Sequence, residues 1–111
     1  MKKKTISRFS ELKIPFTLGN SNNGIDFIIN NKNIVKVIDI KDLSTKEIIK
    51  EVMKFELFFN IEDKDSFFQN VFILLFNGTE CKKKELIELT QLNFFLFNEL
   101  DSKFTNEIGI S

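Results

Sequence analysis

The sequence predicts a small α+β or α/β domain, in which a hairpin-based sheet is packed by two or three helices in the order βββαβα. Three observations carry that reading. Two β-branched runs, IDFIIN at 25–30 and IVKVIDIK at 34–41, flank an Asn-Lys-Asn turn. A capping signature at Ser44 to Glu47 opens a stretch of helical periodicity. The block VFILLF at 71–76 is apolar on every side and too short for a typical buried helix. With 111 residues the chain makes one domain, able to bury roughly two thirds of its unfolded surface without disulfide or zinc staples.

The elements follow in order. LKIPFTL at 12–18 reads as a short strand that Pro15 pushes toward an edge, and GNSNNG at 19–24 is turn chemistry. The hairpin carries apolar residues on both faces, so it belongs in the middle of the sheet, covered on both sides. After the capping box, Ile48, Val52, Phe55 and Phe59 share one helical stripe. Met53 and Leu57 fall on the far side of that helix, among Lys46, Lys50 and Lys54, where they are either covered or left as an adhesive patch. VFILLFNG reads as a buried strand. A helix from Phe67 is the rival, because Ser66 and Gln69 have capping-box spacing. Thr79 caps a closing helix on which Leu86, Leu89, Leu96, Phe97, Leu100 and Phe104 can share a face. Residues 1–10 and 105–111 are expected to fray.

Composition removes much of the catalytic vocabulary. There is no His, and Cys81 is the single cysteine. Zinc sites of the usual kind, Cys-His nucleophiles and Ser-His-Asp triads are excluded. Any catalysis would rest on carboxylates, lysines or a borrowed metal. The basic opening MKKK precedes no apolar run of signal-peptide length, so a cytoplasmic protein is expected. VFILLF falls far short of the roughly 20 residues that cross a bilayer, so no membrane span is expected. Acidic and basic groups balance at 16 each, which argues against a dedicated duplex-DNA binder. Ala is absent and Arg8 is the only arginine, while Lys, Asn, Ile and Phe abound. Those abundant residues have A/T-rich codons, so lysine count by itself says little about a ligand. The 14 Phe with no Tyr or Trp suit rings used for packing, since none needs a hydrogen-bond partner.

One constellation could carry chemistry. If Lys32 and Asn33 form a two-residue hairpin tip, Asp26 stands opposite Asp39, and Lys41 projects from the same face as Asp39. Opposed carboxylates need a compensating cation, either Lys41 or a divalent metal held through oxygen. The stretch GIDFIINNKNIVKVIDIK resembles the PD-(D/E)xK nuclease superfamily, whose motif places an Asp at the start of one strand and Asp/Glu-x-Lys at the end of the next. The resemblance spans residues 24–78 and includes the following helix and buried strand. It implies that Asp26 and Asp39 hold Mg²⁺ or Mn²⁺ and that Lys41 orients or helps deprotonate the attacking water. Ile25 stands where the family motif has proline, and Glu11 is the only acid ahead of Asp26 to serve as the further glutamate many members carry on a helix.

The other motifs are weaker. Asp63 and Asp65 resemble the start of a calcium loop, but the required glycine and closing glutamate are missing. Lys2 to Lys4 and Lys82 to Lys84 read as solvated runs, and the four glycines form neither a P-loop nor a dinucleotide fingerprint. Cys81 reads as a semi-buried structural thiol. The leading expectation is therefore a small protein-binding module without catalysis or cofactor, such as an inhibitor or immunity-type protein, whose partner is another protein. Its contact residues would be Met53, Leu57, Glu62, Asp63 and Asp65. The alternative is the metal-dependent nuclease. A third possibility, nucleic-acid binding without catalysis, requires both lysine runs on one surface.

Overall fold

A computed structural model describes residues 1–20, 22, 24–57 and 70–109, with the side chains of Glu56 and Leu57 left out. Helix α1 (Lys2–Glu11) is followed by strands β1 (Thr17–Leu18), β2 (Phe27–Ile29) and β3 (Asn33–Asp39), then helix α2 (Thr45–Leu57). Strand β4 (Val71–Phe76), helix α3 (Glu80–Thr90) and strand β5 (Asn93–Leu96) come next. A C-terminal helical run closes the fold. It opens as a 3₁₀ turn at Phe97–Glu99, widens to π geometry over Leu100–Phe104 and ends in an α-helical turn at Thr105–Glu107.

The strands lie side by side in the order β1-β2-β3-β4-β5. The first three are antiparallel, whereas β3, β4 and β5 are parallel. The expected α+β fold and its βββαβα order are present, and the buried strand at 71–76 is the middle of the parallel part, with all six residues inside. A strand buried on both faces and flanked on both edges has no polar position to spare, which is why VFILLF lacks alternation.

Helices cover both faces. On one, Ile48, Val52 and Phe55 of α2 and Leu86 of α3 pack over Ile38, Ile73, Leu75 and Phe94. On the other, Phe9 of α1 and Leu100 and Phe104 of the C-terminal run pack over Phe27, Val35, Phe72 and Leu74.

Local chemistry sets the helix boundaries. Glu47 N–H donates to Ser44 Oγ at 3.2 Å while Glu47 Oε1 accepts from Ser44 N–H at 3.3 Å, the reciprocal box that starts α2. Thr79 Oγ1 accepts from Lys82 N–H at 3.2 Å and starts α3.

Three expectations need revision. Residues 2–11 form α1, with Thr5 and Phe9 buried, where a frayed end was expected; Phe9 anchors the turn in a cluster of rings. The closing segment is not one helix. Gln91 takes a left-handed conformation that ends α3, and residues 93–96 pair with β4 as a fifth strand. Leu89 consequently shares no face with Leu100 or Phe104 and is exposed. The hairpin register also differs. Ile29 pairs with Asn33 and Phe27 with Val35, around a three-residue tip in which Asn30 and Asn31 are left-handed. Asparagine tolerates that conformation at little cost, so the turn forms there, and Asn33 is drawn into the sheet as a buried residue.

Candidate functional site

The revised register separates the two aspartates proposed as a metal pair. Pairing of β2 with β3 ends at Phe27 and Val35, and Asp26 lies just beyond, several residues short of Asp39. Asp26 Oδ2 accepts the Val37 backbone N–H at 2.7 Å, so its carboxylate takes the place of a strand carbonyl where β2 has run out. Its other oxygen faces Lys2 Nζ of α1 at 3.9 Å. Asp39, exposed at the carboxyl end of β3, accepts from Asn77 Nδ2 at 2.8 Å and from Lys41 N–H at 3.0 Å, both through Oδ1. These bonds, that from Asn77 first, hold its carboxyl below the usual carboxylate range, and the Lys41 charge adds to them. Lys41 is exposed beside it.

A divalent ion of the magnesium type asks for one or two carboxylate oxygens and several waters. Asp26 Oδ1 and Asp39 Oδ2 could supply oxygens, but each acid is already tied to backbone or amide donors. No group of three His, Cys, Asp or Glu suited to a metal occurs among the described residues. Asp26, Asp39 and Lys41 are thus found near the end of β3 and its flank, not as an opposed pair.

The carboxyl ends of β4 and β5 hold a second charged cluster that sequence reasoning missed. Glu99 is buried and accepts from Lys83 Nζ at 3.0 and 2.8 Å through its two oxygens. It also takes the Leu96 N–H at 2.7 Å and lies 3.1 Å from Lys103 Nζ. Lys83 reaches Glu80 as well, at 3.1 Å. Burial works against both charges, yet the backbone and lysine donors bring Glu99 below its ordinary value, and the two glutamates raise Lys83. The network ties the first turn of α3 to the C-terminal run. Nothing in the spacing KKK…E announces it, because contact between positions 83 and 99 requires β5 to turn the chain back.

That finding corrects the solvated lysine run. Lys83 is buried, and Lys82 Nζ donates to Thr45 Oγ1 of α2 at 2.6 Å. Lys2 to Lys4 sit on α1, across the sheet from α3, so the two runs do not form one basic surface. Cys81 is exposed on α3 and not semi-buried. A groove of about 360 Å³ beside α1 is lined by Lys3, Lys4, Arg8 and Phe97. Its arginine is already shared between Glu11 at 2.8 Å and Asp101 at 3.3 Å.

Of the two apolar residues expected on the outer side of α2, Met53 is described and is exposed, and its apolar neighbour across the helix pair is Leu89. Met53 is 56% exposed, and Leu89 of α3 is 60% exposed. Between them runs an open groove of about 210 Å³, lined by Ile49, Val52, Met53, Leu89, Thr90 and Leu92. The Leu57 side chain and Glu62, Asp63 and Asp65 lie outside the described residues. No helix among the described residues is long and apolar enough to cross a membrane. Comparison with family models, characterised proteins and solved structures finds no match for this chain.

Proposed function

We propose that the chain works by binding protein, without catalysis of its own, through the outer face of α2 and α3. One observation carries the reading: Met53 and Leu89, both more than half exposed, flank a shallow apolar groove between two otherwise charged helices. Exposed apolar groups that cluster around a groove, rimmed by polar residues, mark interaction surfaces more often than scattered ones do. A tagged chain should retain a stoichiometric polypeptide, whether a foreign protein or an untagged copy, when isolated from its native cells. Met53→Asp with Leu89→Asp should abolish retention while leaving the circular dichroism spectrum unchanged. Full retention by the double variant would remove this face from consideration.

A second reading, metal-dependent phosphodiester hydrolysis, is favoured by the order of elements: a helix, three antiparallel strands, a helix and a parallel strand surround the Asp26 and Asp-x-Lys positions. Against it stand the backbone and amide bonds that occupy both acids. Mn²⁺-dependent cleavage of labelled single- or double-stranded nucleic acid, lost in both Asp39→Ala and Lys41→Ala, would establish the hydrolase and displace the binding reading.

A further inference from the structure

The charges around the apolar groove show what chemistry would cover it. On α2, the positions flanking Met53 on the outer side are Lys46 and Lys50, both exposed. On α3, Leu89 is flanked outward by Glu85 and Glu88, also exposed. The face therefore has Lys46 and Lys50 on one side of an apolar seam and Glu85 and Glu88 on the other, with Glu85 also 3.8 Å from Lys82 of its own helix. Its two halves are in step along the helix axes. Lys82 Nζ meets Thr45 Oγ1 at one end, and Met53 and Leu89 share the groove further along, so Lys46 and Lys50 lie at about the level of Glu85 and Glu88.

A surface of this kind is complementary to itself. A two-fold axis parallel to the helices exchanges the left and right halves without changing the level along the axis. It lays α2 of one molecule over α3 of another, lysines over glutamates and Met53 against Leu89, and it makes each contact twice. We infer that the occupant of the α2–α3 groove is a second copy of this chain, docked by that two-fold. The inference rests on the proposed protein-binding role of this face and names the partner. Helices of 13 and 11 residues offer a face only about 20 Å long, small for a stable interface, so the dimer is weak and in rapid exchange.

The test is sedimentation equilibrium across loading concentrations from about 5 to about 500 µM, a span chosen for an interface at the small end of the size range. Wild type should shift from monomer to dimer within it, and Met53→Asp with Leu89→Asp should remain monomeric. Two charge-reversal variants give the sharper result. Lys46→Glu with Lys50→Glu makes both halves acidic, and Glu85→Lys with Glu88→Lys makes both halves basic. Each alone should lose association by at least tenfold, and an equimolar mixture should form heterodimers at least as tight as wild type.

A mixture that fails to associate, or wild type that stays monomeric throughout, overturns the two-fold dimer. If a monomeric chain still retains a foreign protein through Met53 and Leu89, the binding role survives and only the second copy is rejected. Dimerisation unaffected by the Met53 and Leu89 substitutions rejects the groove dimer, and retention of a foreign protein equally unaffected by them rejects the binding role of this face as well.

Discussion

The two faces of the sheet are packed by different chemistry. The face under α1 and the C-terminal run is a set of interlocked rings: Phe9 lies 5.2 Å from Phe27, and Phe104 lies 5.8 Å from Phe72 and 5.5 Å from Phe95. Phe76 stacks on Phe97 at 4.5 Å. Among the described residues the face under α2 and α3 is mainly branched aliphatic, with Phe55 and Phe94 as buried rings. The outer surfaces differ in the opposite sense. Over the ringed face the helices present Lys3, Lys4, Asp101 and Ser102, whereas over the aliphatic face Met53 and Leu89 stand exposed among Lys46, Lys50, Glu85 and Glu88. The ringed layer is roofed by charged helix surface with a groove beside α1, and the aliphatic layer is the side on which the exposed apolar side chains of two helices flank one groove.

The largest effect that would sharpen this contrast is a ring deletion. Phe104→Ala removes a fully buried side chain touching three other rings, and a loss of about 3–5 kcal/mol is expected in urea denaturation. Ile48→Val on the aliphatic face should cost about 0.5–1.5 kcal/mol. A loss below about 2 kcal/mol for Phe104→Ala would show that the rings do not lock the layer under α1 and would break the distinction.

Next in size is the ion network that fastens α3 to the ringed layer. Glu99→Ala leaves buried Lys83 with Glu80 as its remaining acidic partner and the Leu96 N–H without its acceptor, and should cost about 3 kcal/mol at neutral pH. The sign of the pH dependence follows from the shifts. Glu99 is lowered by folding, so its contribution is complete above the ordinary carboxylate range and fades as pH falls through its folded value. Lys83 is raised, so its contribution is complete below the ordinary lysine range and fades only at higher pH. Thermal melts from neutral to acid pH should therefore show a shallower acid loss in Glu99→Gln than in wild type. Equal acid slopes would mean that the network contributes nothing to acid stability.

The smallest effect belongs to the exposed seam. Met53→Asp with Leu89→Asp should change folding stability by no more than about 0.5 kcal/mol per site, because neither side chain is part of the buried core. A large destabilisation would show that the seam supports the fold and is not spare surface.

These contrasts follow the limits of what the residues disclosed. The α2 stripe of Ile48, Val52 and Phe55, the Ser44 and Thr79 caps and the VFILLF strand were readable because each depends on neighbours within a few positions. Met53 was readable as an off-stripe apolar residue for the same reason. Its companion Leu89 was not, because a single long helix would have placed it on an inner face. The left-handed turn at Gln91 and the pairing of Phe94 with Ile73 decide otherwise. The Asp26 and Asp39 pairing failed on one residue choice, a tip at Lys32 and Asn33 instead of left-handed Asn30 and Asn31. In a hairpin, such a slip carries every cross-strand partner with it.

The sequence by itself determined the α+β class, the identity of the central apolar strand, the helix starts and the absence of imidazole chemistry, all of which rest on composition or short-range pattern. The tertiary structure alone decided which carboxylates meet which cations, and which leucines face water. Those outcomes depend on strand register and on the fifth strand's return against β4, contacts between residues far apart in the chain whose energies no local pattern encodes.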